Sequence, residues 1–103
     1  MKKYDIYLAD VPYREDNDKT KLRPVLILND TVLLISVLPI TSQGKTGSVQ
    51  YKITDWKEAG LKKQSYIMLE PLKFKDRKMI HKKIGRLQSN DILRLEMKLY
   101  RTF

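Results

Sequence analysis

The sequence predicts a mainly β protein with helices, an α+β chain arranged as a small, strongly bent sheet or barrel that ends in one substantial helix. Three observations lead there. At least five short segments rich in β-branched and aromatic residues follow one another, each bounded by Pro, Gly, Asn, Asp or Ser. Only the stretch from Ser89 to about Tyr100 carries a capped and sustained helical period. A chain of 103 residues has room for one compact core, so residues 1–103 are read as a single domain.

The elements follow in order. Asp5 to Asp10 favours a strand that stops before Val11-Pro12, and Tyr13 to Leu22 reads as a charged loop. Arg23-Pro24 opens a second strand, Val25 to Leu28, because proline is tolerated at a strand start and pushes the residue before it into extended backbone. Asn29-Asp30 suits a tight hairpin turn, and Thr31 to Leu38 returns as a run so uniformly apolar that it is expected to be central, with both faces covered. Pro39 to Ser42 ends that strand, and Gln43 to Gly47 connects it to the next. From Ser48 to Ile53 the pattern alternates, which turns Val49, Tyr51 and Ile53 to one face. Asp55 to Gly60 resembles a single helical turn, with Asp55 as N-cap, Glu58 three residues on and Gly60 at the left-handed stop. A strand at Ser65 to Glu70, a short helix at Asp76 to Ile80 and a last strand at Lys83 to Leu87 complete the sheet. Ser89 then caps the terminal helix, where Ile92, Leu95 and Leu99 form one stripe and Leu93, Met97 and Tyr100 a second. Together the stripes are wide enough to cover a barrel and to meet a second subunit.

Composition narrows the function. With 42% hydrophobic and 32% charged residues the chain is globular in balance rather than disordered or membrane-embedded. Its longest apolar stretch, Thr31 to Ile40, contains Ser36 and Pro39 and is about half of what a bilayer crossing needs. No secretory signal follows Met1-Lys2-Lys3, so a cytoplasmic location is the default expectation. Cysteine is absent and His81 is the sole histidine, which leaves no disulfides, no thiolate nucleophile and no expected metal site or cofactor. The formal charge of +9 is uneven: residues 71–103 hold ten Lys/Arg against three acids. A basic surface of that kind is the footprint of a polyanion binder, with solubility as the plainer explanation.

Two motifs sharpen this. At Arg23-Pro24-Val25-Leu26-Ile27-Leu28-Asn29-Asp30, and again at Pro39-Ile40-Thr41-Ser42-Gln43, the sequence resembles the MazF/PemK toxin family. Other landmarks agree in order: Asp5-Ile6-Tyr7 is similar to the family's opening Gly-Asp-Ile-Tyr, Gly60-Leu61 with Ser65-Tyr66-Ile67 to its mid-chain strand, and Ile84-Gly85-Arg86-Leu87 to its closing strand. The resemblance spans nearly the whole chain. It implies an SH3-like barrel with a C-terminal helix and a homodimer with an RNA groove across the subunit interface. It also implies metal-independent cleavage of single-stranded RNA at a short sequence, and inhibition by a cognate antitoxin whose acidic C-terminal segment fills the groove. The gyrase poison CcdB shares that fold but lacks the pairing of Arg-Pro-Val with Thr-Ser, so a gyrase-directed or non-catalytic relative is the second reading.

By this resemblance Arg23 and Thr41 are the catalytic pair. A guanidinium can hold two phosphate oxygens, whereas at its ordinary pKa it is a poor general base, so Arg23 is assigned to transition-state stabilisation. Thr41 offers a hydroxyl just past a buried strand. Ser42 and Gln43 are expected beside it on phosphate or base edges. Tyr13, Arg14, Lys19 and Lys21 lie in the segment that contacts RNA in the family, and Tyr13 is suited to base stacking. Many members carry an arginine shortly after the mid-chain strand, and one branch an aspartate two residues later; here those places are read as Lys73 and Lys75, which keeps the charge for phosphate binding but loses the bidentate fork. Trp56 is read as core rather than base platform, and His81 as too far along the chain from Arg23 to serve it.

Overall fold

Apolar residues along the first three strands alternate so as to serve two cores at once. A computed structural model describes the chain except residues 14, 15, 17, 45, 46, 48 and 103 and the side chain of Thr102. Its strands are β1 (Asp5–Pro12), β2 (Thr20–Asp30), β3 (Ile35–Thr41), β4 (Gln50–Lys52), β5 (Tyr66–Met68), β6 (Leu72–Phe74) and β7 (Ile80–Arg86). A 3₁₀ turn at Arg77–Met79 precedes β7, and helix α1 spans Ser89–Thr102. All pairings are antiparallel. The main sheet runs β6-β3-β2-β1-β7, while the far end of β3 turns away to pair with β5, which pairs with β4. Ile6, Leu26, Leu38 and Ile40 join Tyr51, Ile53, Ile67, Leu87 and Leu95 in the first core, under α1. Ala9, Val11, Val25, Ile27, Ile35 and Val37 join Phe74 and Ile80 in the second. Since β6 and β7 stand at opposite ends of the main sheet and both feed the second core, the sheet curls into a barrel-like form. The central position expected of the apolar strand is what β3 has, with neighbours on both edges.

Several boundaries differ from the sequence expectation. β1 continues through Val11-Pro12, and β2 begins at Thr20, so Lys21 and Leu22 are strand rather than loop: the β1–β2 ladder runs unbroken from Ile6↔Leu26 to Pro12↔Thr20. Pro24 therefore sits inside β2. It is tolerated because β2 pairs with β3 only from Val25 onwards, leaving Pro24 with a neighbour on one edge alone. Asn29 and Asp30 are also strand. The reversal comes at Thr31 to Leu34, where Thr31 Oγ1 donates to the Leu34 carbonyl at 2.8 Å and accepts from the Leu34 N–H at 3.2 Å. Val32 and Leu33 at its tip are 97% and 82% exposed, so the hydrophobic run passes straight through a turn. β6 had no sequence signal, being three residues long, and Val49 is exposed rather than inward.

The helical turn expected at Asp55 to Gly60 forms as a hydrogen-bonded turn, with Ala59 N–H donating to Asp55 O at 3.1 Å and Gly60 at φ 96°. Its cap comes from elsewhere. The fully buried Asp91, in the first turn of α1, accepts from the N–H groups of Thr54 and Asp55, each at 2.8 Å, and from the Tyr51 hydroxyl at 2.5 Å. Burial, then the bond to Asp91, pushes the Tyr51 phenol well above its ordinary pKa. The same turn presses on β7 so closely that a Cβ at Gly85 would lie 1.8 Å from the Ala59 carbonyl oxygen. Tyr4, where the resembling motif has glycine, takes the left-handed φ of 74° that glycine favours. It is held by burial and by donating its hydroxyl to Glu96 of α1 at 2.7 Å. Along α1, Leu95 is buried and Ile92 and Leu99 pack on the core, while Leu93, Met97 and Tyr100 face outward.

Candidate functional site

Two prolines mark where the sheet forks. Val25↔Pro39 is the last β2–β3 pair; beyond it β2 continues towards Thr20 with β1 alone, and β3 continues to Thr41 beside β5. Pro24 and Pro39 both lack the N–H that a continued ladder would draw on, which gives the split a covalent cause. Sequence reading singled out each proline separately and missed their partnership across the strands.

The fork decides how the expected catalytic pair is related. Val25 and Pro39 share a sheet face, and strand alternation puts Arg23 and Thr41, each two residues further, on that same face. Carried forward, the register sets position 23 against position 41. A two-residue turn at Asn29-Asp30 would instead have paired Leu28 with Thr31 and carried Arg23 against Ser36. The true turn at residues 31–34, with the register shift between Ile27 and Asn29, is what aligns the two motifs.

Arg23 is half-buried and has no hydrogen-bond or ion-pair partner among the described residues. Lys21 follows on the same face, opposite Val11, and alternate strand residues stand about 7 Å apart. Tyr13 and Lys19 close the hairpin arm through Tyr13 N–H to Lys19 O at 3.0 Å, which continues the pairing and brings Lys19 into line with Lys21 and Arg23. Arg14 lies outside the described residues. On the other prong, Thr41 Oγ1 accepts the Gln43 N–H at 3.1 Å, an arrangement that leaves the threonine proton for a further acceptor. Ser42 and Gln43 are exposed beyond it.

Other expected residues fall elsewhere. Lys73 pairs with Ser36, on the opposite face of β3 from Thr41 and five residues along it, so the chain does not gather it with Arg23. His81 Nε2 lies 2.8 Å from Asp10 Oδ2, and alternation along β1 turns Asp10 to the face away from Arg23. Trp56 packs against the first core. Several cations are committed to structure: the Arg77 guanidinium holds both oxygens of Asp30, at 2.7 and 3.0 Å, and keeps that carboxyl well below the usual range. Asp5 is also low. Burial alone would raise it, but bonds from Arg86 and the Lys2 N–H, with the charge of Lys83, outweigh that.

Residues 2–103 match the family model described as the PemK-like, MazF-like toxin of type II toxin–antitoxin systems. The chain belongs to that family. It is thus a toxin of the type II class, and the resemblance read from Arg-Pro-Val-Leu and Ile-Thr-Ser-Gln holds over the whole fold. Among solved structures, the Mycobacterium tuberculosis toxin MazF-mt6 is similar with a TM-score of 0.72 at 22% identity, over 96% of this chain and 95% of that one. No curated protein sequence matches. The seven-stranded antiparallel sheet with its C-terminal helix is the MazF fold. Among the described residues, no helix is long and apolar enough to cross a membrane.

Proposed function

We propose that this toxin is a metal-independent endoribonuclease that cuts single-stranded RNA at a short sequence, with the scissile phosphodiester held at the β2–β3 fork. The observation that carries this reading is the register: Arg23, a cation without an acidic partner among the described residues, and Thr41, a hydroxyl with its proton to spare, stand on one face where the strands part. RNA supplies its own nucleophile, the 2′-hydroxyl. The protein has to orient that group, offset the charge that grows on the phosphorane and help the 5′-oxygen to leave. Arg23 can bind two non-bridging oxygens through its planar fork, and Thr41 can donate to one of them, both from half-buried positions where such bonds gain strength. Ser42 and Gln43 then suit base edges. Lys19 and Lys21 suit neighbouring phosphates along the strand, with Tyr13 beside them as a stacking surface.

A homodimer and an antitoxin complete the proposal. The outward stripe of Leu93, Met97 and Tyr100 is an apolar helix face suited to a second subunit, with the RNA groove running between the copies. The chain's charge of +9 suits neutralisation by an acidic antitoxin segment that competes with RNA for the fork. Such a toxin acts in the cytoplasm, where its RNA is.

The test is incubation of the purified protein with a long RNA in EDTA, followed by mapping of the fragment ends. Cuts at one short sequence are expected, leaving a 2′,3′-cyclic phosphate or its opened form and a 5′-hydroxyl, with no cut where the target nucleotide is 2′-deoxy. Retention of RNA without cuts would sink the nuclease reading in favour of a non-catalytic or gyrase-directed toxin.

A further inference from the structure

The fork leaves the densest run of positive charge unused. Between residues 73 and 83 the chain carries six Lys/Arg and a single acid, Asp76. The segment is β6, the 3₁₀ turn and the first part of β7, and its inward side chains, Leu72, Phe74, Met79 and Ile80, all pack into the second core. Two of its cations have structural partners, Arg77 on Asp30 and Lys83 on Asp5. Asp76 is occupied as well, accepting the Lys78 N–H at 2.9 Å. Lys73, Lys75, Lys78 and Lys82 remain, all exposed and without an acidic partner among the described residues.

We propose that these four lysines form a second contact surface for the RNA backbone, blind to sequence and distinct from the fork, which engages RNA longer than the cleavage groove. The inference rests on the ribonuclease reading for its ligand. Three features support it. Lys73 lies on β6, Lys75 and Lys78 on the short connection to β7 and Lys82 on β7, and Lys73 stands on the opposite face of β3 from Thr41, so the four extend the binding track instead of enlarging the fork. Lysine is a compact point charge without a bidentate fork, suited to attracting phosphates and unsuited to reading base edges. From residue 70 to residue 92 no large apolar side chain is exposed among the described residues; those that adjoin the segment are Val32 and Leu33, on the turn that Arg77 grips through Asp30 and the Thr31 carbonyl, and three on α1. A protein partner needs apolar anchors at the centre of its interface, while a polyphosphate chain needs charge alone. Protection of edge strands does not account for the cluster either, since Lys75 and Lys78 lie on neither β6 nor β7 and the β7 ladder is already broken by two register shifts.

The test compares wild-type protein with the variant carrying Lys73→Gln, Lys75→Gln, Lys78→Gln and Lys82→Gln. Its probes are 2′-O-methyl oligouridines, which carry the backbone charge without the nucleophile. One probe is roughly 30 nucleotides long, beyond the ~4–16 nucleotides that one small binding fold covers, and the other roughly 6, near the lower end of that range. For the long probe, the slope of log affinity against log salt is expected to become shallower by about 2–3, since each single-strand phosphate contact contributes about 0.7. For the short probe the slope should stay the same. Equal slopes for wild type and variant on the long probe would overturn the proposal while leaving the fork intact. A wild-type protein that binds both probes with the expected slopes but never cuts RNA would remove the nuclease reading and leave this surface standing. If the variant bound long RNA as wild type does but lost affinity for polyglutamate, the surface would be assigned to an acidic protein partner and the proposal would fail.

Discussion

The dock of α1 and the β2–β3 fork, both near the Thr41 end of β3, are built by opposite rules. Where α1 docks, around Asp91, each polar group is matched: one buried carboxylate takes two backbone N–H groups and a phenol, and the turn it caps lies against Gly85 with no space for a Cβ. At the fork the ladder stops at two prolines, a guanidinium has no partner among the described residues and a threonine keeps its proton. Bonds already made stabilise the fold. Bonds left to water can be taken over by a ligand, so the fork is where binding energy is available.

Substitutions should separate the two regions. The largest effect is expected from Asp91→Ala, which strands the buried Tyr51 hydroxyl and two partly buried N–H groups and should cost about 3–5 kcal/mol, a large part of the total stability of a small domain. Chemical denaturation would measure it, while cleavage per folded molecule should be unchanged. Arg23→Ala should do the reverse. It is expected to slow single-turnover cleavage by a factor of about 100 or more, with stability moving by no more than about 0.5 kcal/mol. A fork variant that unfolds the protein, or an Asp91 variant that folds normally, would break the contrast.

Acid gives a smaller effect with the same logic. The folded-state pKa of Asp5 lies below its ordinary value of about 3.9, so its stabilising contribution is complete above that pH and is lost as pH falls through the folded value. The melting temperature of wild type should therefore drop steeply through that window. Asp5→Asn should start lower and lose less across it, and Arg23→Ala should follow the wild-type slope, because no acid is bound to Arg23 among the described residues.

The sequence made the materials of both regions legible, but not their arrangement. The apolar run of β3 and the helical period of α1 were readable because burial on both faces, or on one stripe, imposes a period. The turn at residues 31–34 was not, since Val32 and Leu33 continue the apolar run and the turn is made by a threonine side chain instead of Asn-Asp or glycine. That error matters for the site. Arg23 and Thr41 were each marked by a motif, yet their alignment depends on the β2–β3 register, and the turn expected at Asn29-Asp30 would have set Arg23 against Ser36. Asp91 gave no sign of its role because its partners lie 36 to 40 residues away. Lys73 was legible as a phosphate ligand by charge, while its face of the sheet required β6, which was too short to see.

The most direct test is a double-mutant cycle on single-turnover RNA cleavage with Arg23→Ala, Thr41→Ala and both together. If the guanidinium and the hydroxyl act on one phosphodiester, the two losses will not multiply, and a coupling of at least about 0.5 kcal/mol will appear. Losses that multiply in full would place the two side chains at separate tasks and contradict a shared phosphate at the fork.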